Sequence, residues 1–121
     1  LSYICSMKNS PLYKGSLSTI VLKLLEENSR MYGYEITQKV KELTAGELNI
    51  TEGALYPSLH KLEADGLLQA EMVHIGNRMR KYYRLTETGK KETADRLYEL
   101  KAFIEQMQLI LNTNLTNPQG I

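Results

Sequence analysis

Five apolar residues, Leu97, Leu100, Ile104, Met107 and Leu111, recur at steps of three, four, three and four, the spacing of a coiled-coil seam. Phe103 and Ile110 widen the stripe. The spacing predicts one helix over residues 87–111, capped by Thr86 and about 37 Å long at 1.5 Å per residue. The chain has 121 residues, enough for a single domain. Three short helices cannot cover a seam of that length. A second copy of the chain can, so the pattern predicts a two-fold homodimer held through Leu97, Leu100, Phe103, Ile104, Met107 and Leu111. Residues 12–25 are expected to help bury the seam.

Upstream, Leu17, Ile20, Val21, Leu24 and Leu25 follow helical steps behind a capping Ser16. A second helix is expected from Gly33 to Leu43, with Ile36, Val40 and Leu43 on its inner side, ended by Ala45-Gly46-Glu47. A third runs from Glu52 to Ala64 behind Thr51, with Leu55, Leu59 and Leu62 as its apolar ladder. Pro57 lies inside it and should bend or loosen it, and Asp65-Gly66 ends it. Residues 67–74 alternate Leu68, Ala70 and Met72 against Gln69 and Glu71. The return run 79–85 sets Tyr83 and Leu85 against Arg80, Tyr82 and Arg84. Ile75-Gly76-Asn77-Arg78 is turn material. Three short helices, a β-hairpin and a long helix make a mainly α fold, a winged helix-turn-helix with a C-terminal helix. The expected organisation is a tail (1–11), a winged-helix domain (12–86), a dimerisation helix (87–112) and a second tail (113–121).

Composition narrows function mostly by exclusion. Fifteen basic against fourteen acidic residues say nothing about nucleic acid in total; only a local cluster can. Such a cluster exists between His74 and Lys91, where Arg78, Arg80, Lys81, Arg84, Lys90 and Lys91 face only Glu87 in sequence. The lone Cys5 cannot form an internal disulfide, which suits a reducing cytoplasm. No apolar run approaches the roughly 18 residues of a membrane span, and the first residues lack the basic-then-apolar pattern of a signal peptide. The sequence begins with Leu1, and Met7 is a candidate biological start. His60 and His74 are the only histidines, no Cys/His/Asp/Glu cluster has metal-ligand spacing, and no glycine loop suits a phosphate cofactor. Neither an enzyme nor a cofactor is expected.

Four blocks carry a stronger signal: Tyr32-Gly33-Tyr34-Glu35-Ile36, Glu52-Gly53-Ala54-Leu55-Tyr56-Pro57-Ser58-Leu59, Leu62-Glu63-Ala64-Asp65-Gly66-Leu67, and Arg80-Lys81-Tyr82-Tyr83-Arg84-Leu85-Thr86-Glu87-Thr88-Gly89. Together they closely resemble the PadR family of bacterial transcriptional regulators, over about residues 15–111. The resemblance implies a homodimer joined by its N-terminal region and long last helix, binding a pseudopalindromic DNA operator as a repressor. It looks like the short kind, with one C-terminal helix. It also implies that some such proteins release DNA when an aromatic or cationic compound enters the dimer centre, often between indole rings. This chain has no Trp, so the expected effector contacts are Tyr98, Phe103 and Met107; the competing reading is that Phe103 and Met107 only close the dimer core.

For DNA contact, Tyr56, Ser58, His60 and Lys61 of the third helix can meet bases or phosphates. Against this stands a reading in which Tyr56 is a partly buried packing group and His60 an ordinary surface imidazole. On the hairpin, Arg78 or Arg80 suits a minor groove and Lys81 a phosphate, while Arg84 can pair with an acid of the domain. Tyr32 and Tyr34 flank the start of the second helix, where backbone amides and a phenol can clamp a phosphate; or one tyrosine simply fills the gap between helices. The contrasting functional class is a winged-helix protein-interaction module without specific DNA binding.

Overall fold

Helix α1 (Pro11–Glu27) opens the part of the chain described by the computed structural model, residues 11–112. The expected tails beyond these limits, and Cys5 with them, lie outside the described residues. α1 starts before the expected Ser16 cap, and proline is well placed there. At a first helical position its missing N–H would have no intrahelical partner in any case. Strand β1 (Met31–Tyr32) follows, then α2 (Gly33–Leu43), α3 (Glu52–Ala64), β2 (Leu68–Ile75), β3 (Arg78–Leu85) and α4 (Glu87–Leu111). The sheet is antiparallel in the order β1-β3-β2. β1 is absent from the sequence-based reading, because two residues offer no alternation to detect.

The core is Val21, Leu22, Leu24 and Leu25 of α1, Ile36 and Val40 of α2, the Leu55-Leu59-Leu62 ladder of α3, and Tyr83 of β3. Leu43 departs from expectation: it is 65% exposed, on the last turn of α2 rather than inside. Met72 keeps the inward face of β2, opposite Lys81, yet it is exposed. The outer half of the hairpin extends past the buried core. Its two-residue turn has positive φ at Gly76 but not at Asn77, the type II′ pattern that matches strand twist.

The third helix is tied at both ends. Thr51 Oγ1 accepts the N–H of Ala54 at 3.2 Å, and the helix runs on through Pro57 to Ala64. At its C-terminus the Leu67 N–H reaches Leu62 O and the Gly66 N–H reaches Glu63 O, both at 3.0 Å. That is a Schellman closure, with Gly66 at φ +80°. Thr86 then locks α4 onto this turn. Its Oγ1 accepts the Gly89 N–H at 2.9 Å and donates to Gly66 O at 2.7 Å, while its own N–H reaches Leu67 O.

The end of α2 uses the same closure with a poorer residue. The Gly46 N–H reaches Lys41 O at 2.7 Å and the Ala45 N–H reaches Glu42 O at 3.3 Å, so Ala45 takes the left-handed position at φ 53°. A Cβ there is strained, whereas glycine adopts this conformation freely. Ala45→Gly is therefore expected to stabilise the fold by about 0.5–1 kcal/mol after the entropy cost of glycine in the unfolded chain. A urea titration at fixed protein concentration checks this; a lowered midpoint would contradict the assignment of strain.

Candidate nucleic-acid interface

The residues that turn Leu55, Leu59 and Leu62 inward leave the opposite side of α3 to solvent. Gly53, Pro57, His60 and Lys61 are exposed and Ser58 is half-buried. Lys61 Nζ stands 3.4 Å from Asp65, one turn later on the surface. Tyr56 combines the two roles weighed for it. It is 37% exposed, but its hydroxyl end packs on the start of α2, where a Cβ added to Gly33 would lie 2.7 Å from it. Burial, then the nearby Glu52 and Tyr83, push the phenol above its ordinary range. The folded protein therefore favours the neutral phenol, and stability from this group is lost only as pH rises past the unfolded value of about 10. Throughout the neutral range Tyr56 remains a hydrogen-bond donor. The His60 ring lies 6.4 Å from it, tilted by 36°.

At the start of α2 the two tyrosines separate. Tyr34 is 54% exposed, while Tyr32 is half-buried in β1, paired with Tyr82 of β3. The expected row of free amides is shortened, because the Tyr32 N–H donates to the Glu35 carboxylate at 3.1 Å. That acid belongs to the capping logic of the helix, and it leaves Tyr34, not Tyr32, as the open phenol at this end.

The hairpin, taken as the wing, also sorts its cations. Arg78 is exposed beside the turn, opposite Ile75. Lys81 faces α3, with its Nζ 3.9 Å from Glu63 and 5.4 Å from the Tyr83 ring centroid. Arg84 pairs with an acid as expected, its Nε 3.6 Å from Glu71. Arg80 stacks on Tyr32, 4.1 Å from the ring centroid. Arg30, which the sequence did not single out, also pairs with Glu71 and lies 4.5 Å over the Tyr82 ring. The run of six bases against one acid is thus partly neutralised by Glu63 and Glu71, which come from α3 and β2. Arg78 and Arg80 have no acid within ion-pair distance among the described residues.

Along α4 the seam leaves the domain. Leu97 and Leu100 are half-buried, lining with Ile20, Leu24, Leu43 and Leu48 an apolar groove of about 220 Å3 between α1, α2 and α4. Phe103, Ile104, Ile110 and Leu111 are exposed and Met107 is half-buried. Tyr98 does not join Phe103 and Met107: five residues of helix place it about 140° around the axis from Phe103, and it is 78% exposed. Among the described residues no three His, Cys, Asp or Glu side chains gather as a metal site. No helix among them is long and apolar enough to cross a membrane.

A three-helix core whose third helix lies open beside a β-hairpin defines a winged helix-turn-helix domain. The chain belongs to the transcriptional regulator PadR-like family, whose sequence model matches residues 21–95; its members are transcriptional regulators, not enzymes. It is 40% identical over 63 residues to transcriptional regulator Rv3488 of Mycobacterium tuberculosis, covering 52% of this chain and 56% of that one. A transcriptional regulator from Clostridium thermocellum superposes with a TM-score of 0.74 at 30% identity, over 81% of this chain and 92% of the other. Bacillus subtilis PadR in complex with operator DNA superposes with a TM-score of 0.61 at 28% identity, over 75% of this chain and 59% of that one.

Proposed function

We propose that this regulator binds a pseudopalindromic DNA operator as a homodimer and represses transcription there, in the cytoplasm. The observation that carries the reading is the open polar face of α3 beside two wing arginines, Arg78 and Arg80, that no acid neutralises among the described residues. Buried core leucines fix α3, so Ser58, His60 and Lys61 are offered to a major groove from a rigid element. Arg78 at the wing tip suits the adjacent minor groove or a phosphate. Lys81 and Tyr34 are further proposed phosphate contacts, Lys81 with its charge shared with Glu63, and Tyr56 is a proposed contact to a phosphate or a base edge. The similar Bacillus subtilis PadR is bound to operator DNA in its structure, which supports the same use of this fold.

The homodimer is supported by the α4 seam and by the groove beside it. Ile104, Ile110 and Leu111 are apolar and exposed on one chain, and the groove lined by Leu43, Leu48, Leu97 and Leu100 offers apolar surface for a second copy to cover. In such a dimer two α3 helices would meet successive major grooves, with half-site centres about 34–36 Å apart or a multiple of that. A small aromatic or cationic effector would find Phe103 and Met107 on this seam. Calorimetric titration of the parent and Phe103→Ala proteins tests that contact.

Selection of bound duplexes from a random pool at fixed salt is the deciding experiment, and a two-fold-related motif is the expected product. With that motif in hand, Arg78→Ala is expected to weaken selected and scrambled duplexes alike and to reduce the salt slope by about one unit. Tyr56→Phe should weaken the selected duplex more than the scrambled one if its hydroxyl reaches a base. An apolar protein-interaction module would instead yield no motif and little salt dependence, and that outcome would end the operator reading.

A further inference from the structure

The outer face of the sheet carries a row of side chains that joins the wing to the start of α2. Strand register puts Tyr82 opposite both Tyr32 and Glu71, and Arg80 opposite Val73; residues two apart on β3 share this face. Its arginines have different neighbours. Arg30 and Arg84 both pair with Glu71. Arg80 has no acid within ion-pair distance among the described residues and lies over the Tyr32 ring at 4.1 Å. That ring meets the Tyr82 ring in a T-shaped contact, with centroids 5.3 Å apart and planes at 76°. The Arg30 guanidinium lies over the Tyr82 ring, 4.5 Å from the centroid. The row therefore reads Arg80, Tyr32, Tyr82, Arg30, Glu71, and only its first cation is uncompensated.

A guanidinium stacked on a ring uses its face and leaves its planar edge of N–H donors available. That edge is the part that forms bidentate bonds to phosphate. Stacking also removes rotamer freedom from a long side chain before a ligand arrives, which lowers the ordering cost of binding. A surface ion pair with an acid would do the opposite, occupying the edge. From these contacts we infer that Tyr32 is a positioning residue for DNA binding: its ring holds the Arg80 guanidinium with the N–H edge turned to a backbone phosphate. Its own hydroxyl makes no contact with the nucleic acid. Gly33, the next residue, carries the hydroxyl end of Tyr56 from α3. The Tyr32-Gly33 step thus touches both the wing and α3.

This inference rests on the DNA-binding reading, and its test separates the two. The 121-residue chain is compared with Tyr32→Phe, which keeps the ring, and Tyr32→Leu, which keeps apolar bulk without one. Arg80→Ala and the Tyr32→Leu/Arg80→Ala double variant complete the set. Binding is titrated on the duplex selected from the random pool and on a scrambled duplex, at several salt concentrations. Tyr32→Leu should weaken both by about two- to fivefold, the span of an exposed cation–π contact. The double variant should bind no more weakly than Arg80→Ala alone, and Tyr32→Phe should match the parent. Without DNA, amide hydrogen exchange in β3 should rise in Tyr32→Leu and not in Tyr32→Phe. Losses that add in the double variant, or a Tyr32→Phe defect as large as that of Tyr32→Leu, would place Tyr32 on the DNA itself and overturn the inference. Unchanged exchange in Tyr32→Leu would remove the docking contact. A parent that binds no duplex, with exchange still raised in Tyr32→Leu, would defeat the DNA-binding reading and reduce the stack to a structural contact.

Discussion

Gly89→Ala is expected to destabilise the protein by up to about 3 kcal/mol. A Cβ at Gly89 would lie 2.0 Å from the carbonyl oxygen of Leu67 and 3.0 Å from its carbon. Neither atom can yield cheaply. The Leu67 N–H is held by Leu62 O, and its oxygen accepts the Thr86 N–H, each at 3.0 Å. Helix α4 would have to lift from the Gly66-Leu67 turn, breaking the 2.7 Å bond from Thr86 to Gly66 O. Overpacking usually costs about 1–3 kcal/mol and loss of a cap about 1 kcal/mol, against a helix-propensity gain of about 1 kcal/mol for alanine. Gly53→Ala is the internal comparison, because nothing lies within 4 Å of its added Cβ. There the propensity gain should emerge as a small stabilisation. Urea midpoints at one protein concentration measure both, since dimerisation would make stability concentration-dependent. A Gly89→Ala protein as stable as the parent would refute the close approach.

Ile104→Glu should abolish association at micromolar concentration. Ile104 is 45% exposed on the single chain and lies in the middle of the seam that the second copy is proposed to cover. In the proposed dimer a carboxylate there would be enclosed in an apolar interface, and burying an unpaired charge costs at least several kcal/mol. A loss of about 3 kcal/mol already weakens the dimer more than a hundredfold. Tyr98→Ser, on the far side of the same helix, should leave association unchanged. Sedimentation velocity distinguishes the outcomes. A monomeric parent would remove the dimer, and an unaffected Ile104→Glu variant would move the interface elsewhere.

Both predictions draw on features whose legibility differed. The α4 seam and its Thr86 cap depend on neighbours within one or two turns, so residue spacing sufficed to locate them. The same holds for the α3 ladder, Leu55-Leu59-Leu62, which is buried as its spacing indicates. Gly89 was recognisable as part of a Leu-Thr-x-x-Gly pattern, but not why it must be glycine. The carbonyl that excludes a side chain belongs to Leu67, on the far side of the whole hairpin. Leu43 shows the limit of periodicity: it continues the Ile36-Val40 stripe, yet it lies past the edge of the core and is exposed.

The candidate interface divides in the same way. Helical spacing alone separated the outward residues of α3, Tyr56, His60 and Lys61, from the leucines that anchor it. The wing could be located as a basic hairpin, but its effective charge could not, because Glu63 and Glu71 reach it from other elements. The Arg30–Glu71 pair spans 41 residues of chain, and Tyr32 meets Arg80 only because a two-residue strand pairs with β3. Capping, helical faces and strand alternation act over a few residues, so they were legible in the order of amino acids. Which cation is free, which tyrosine is open and which glycine is irreplaceable depend on sheet register and on helix crossings. Those are set by burial of the common core and join residues whose distance along the chain carries no local signal.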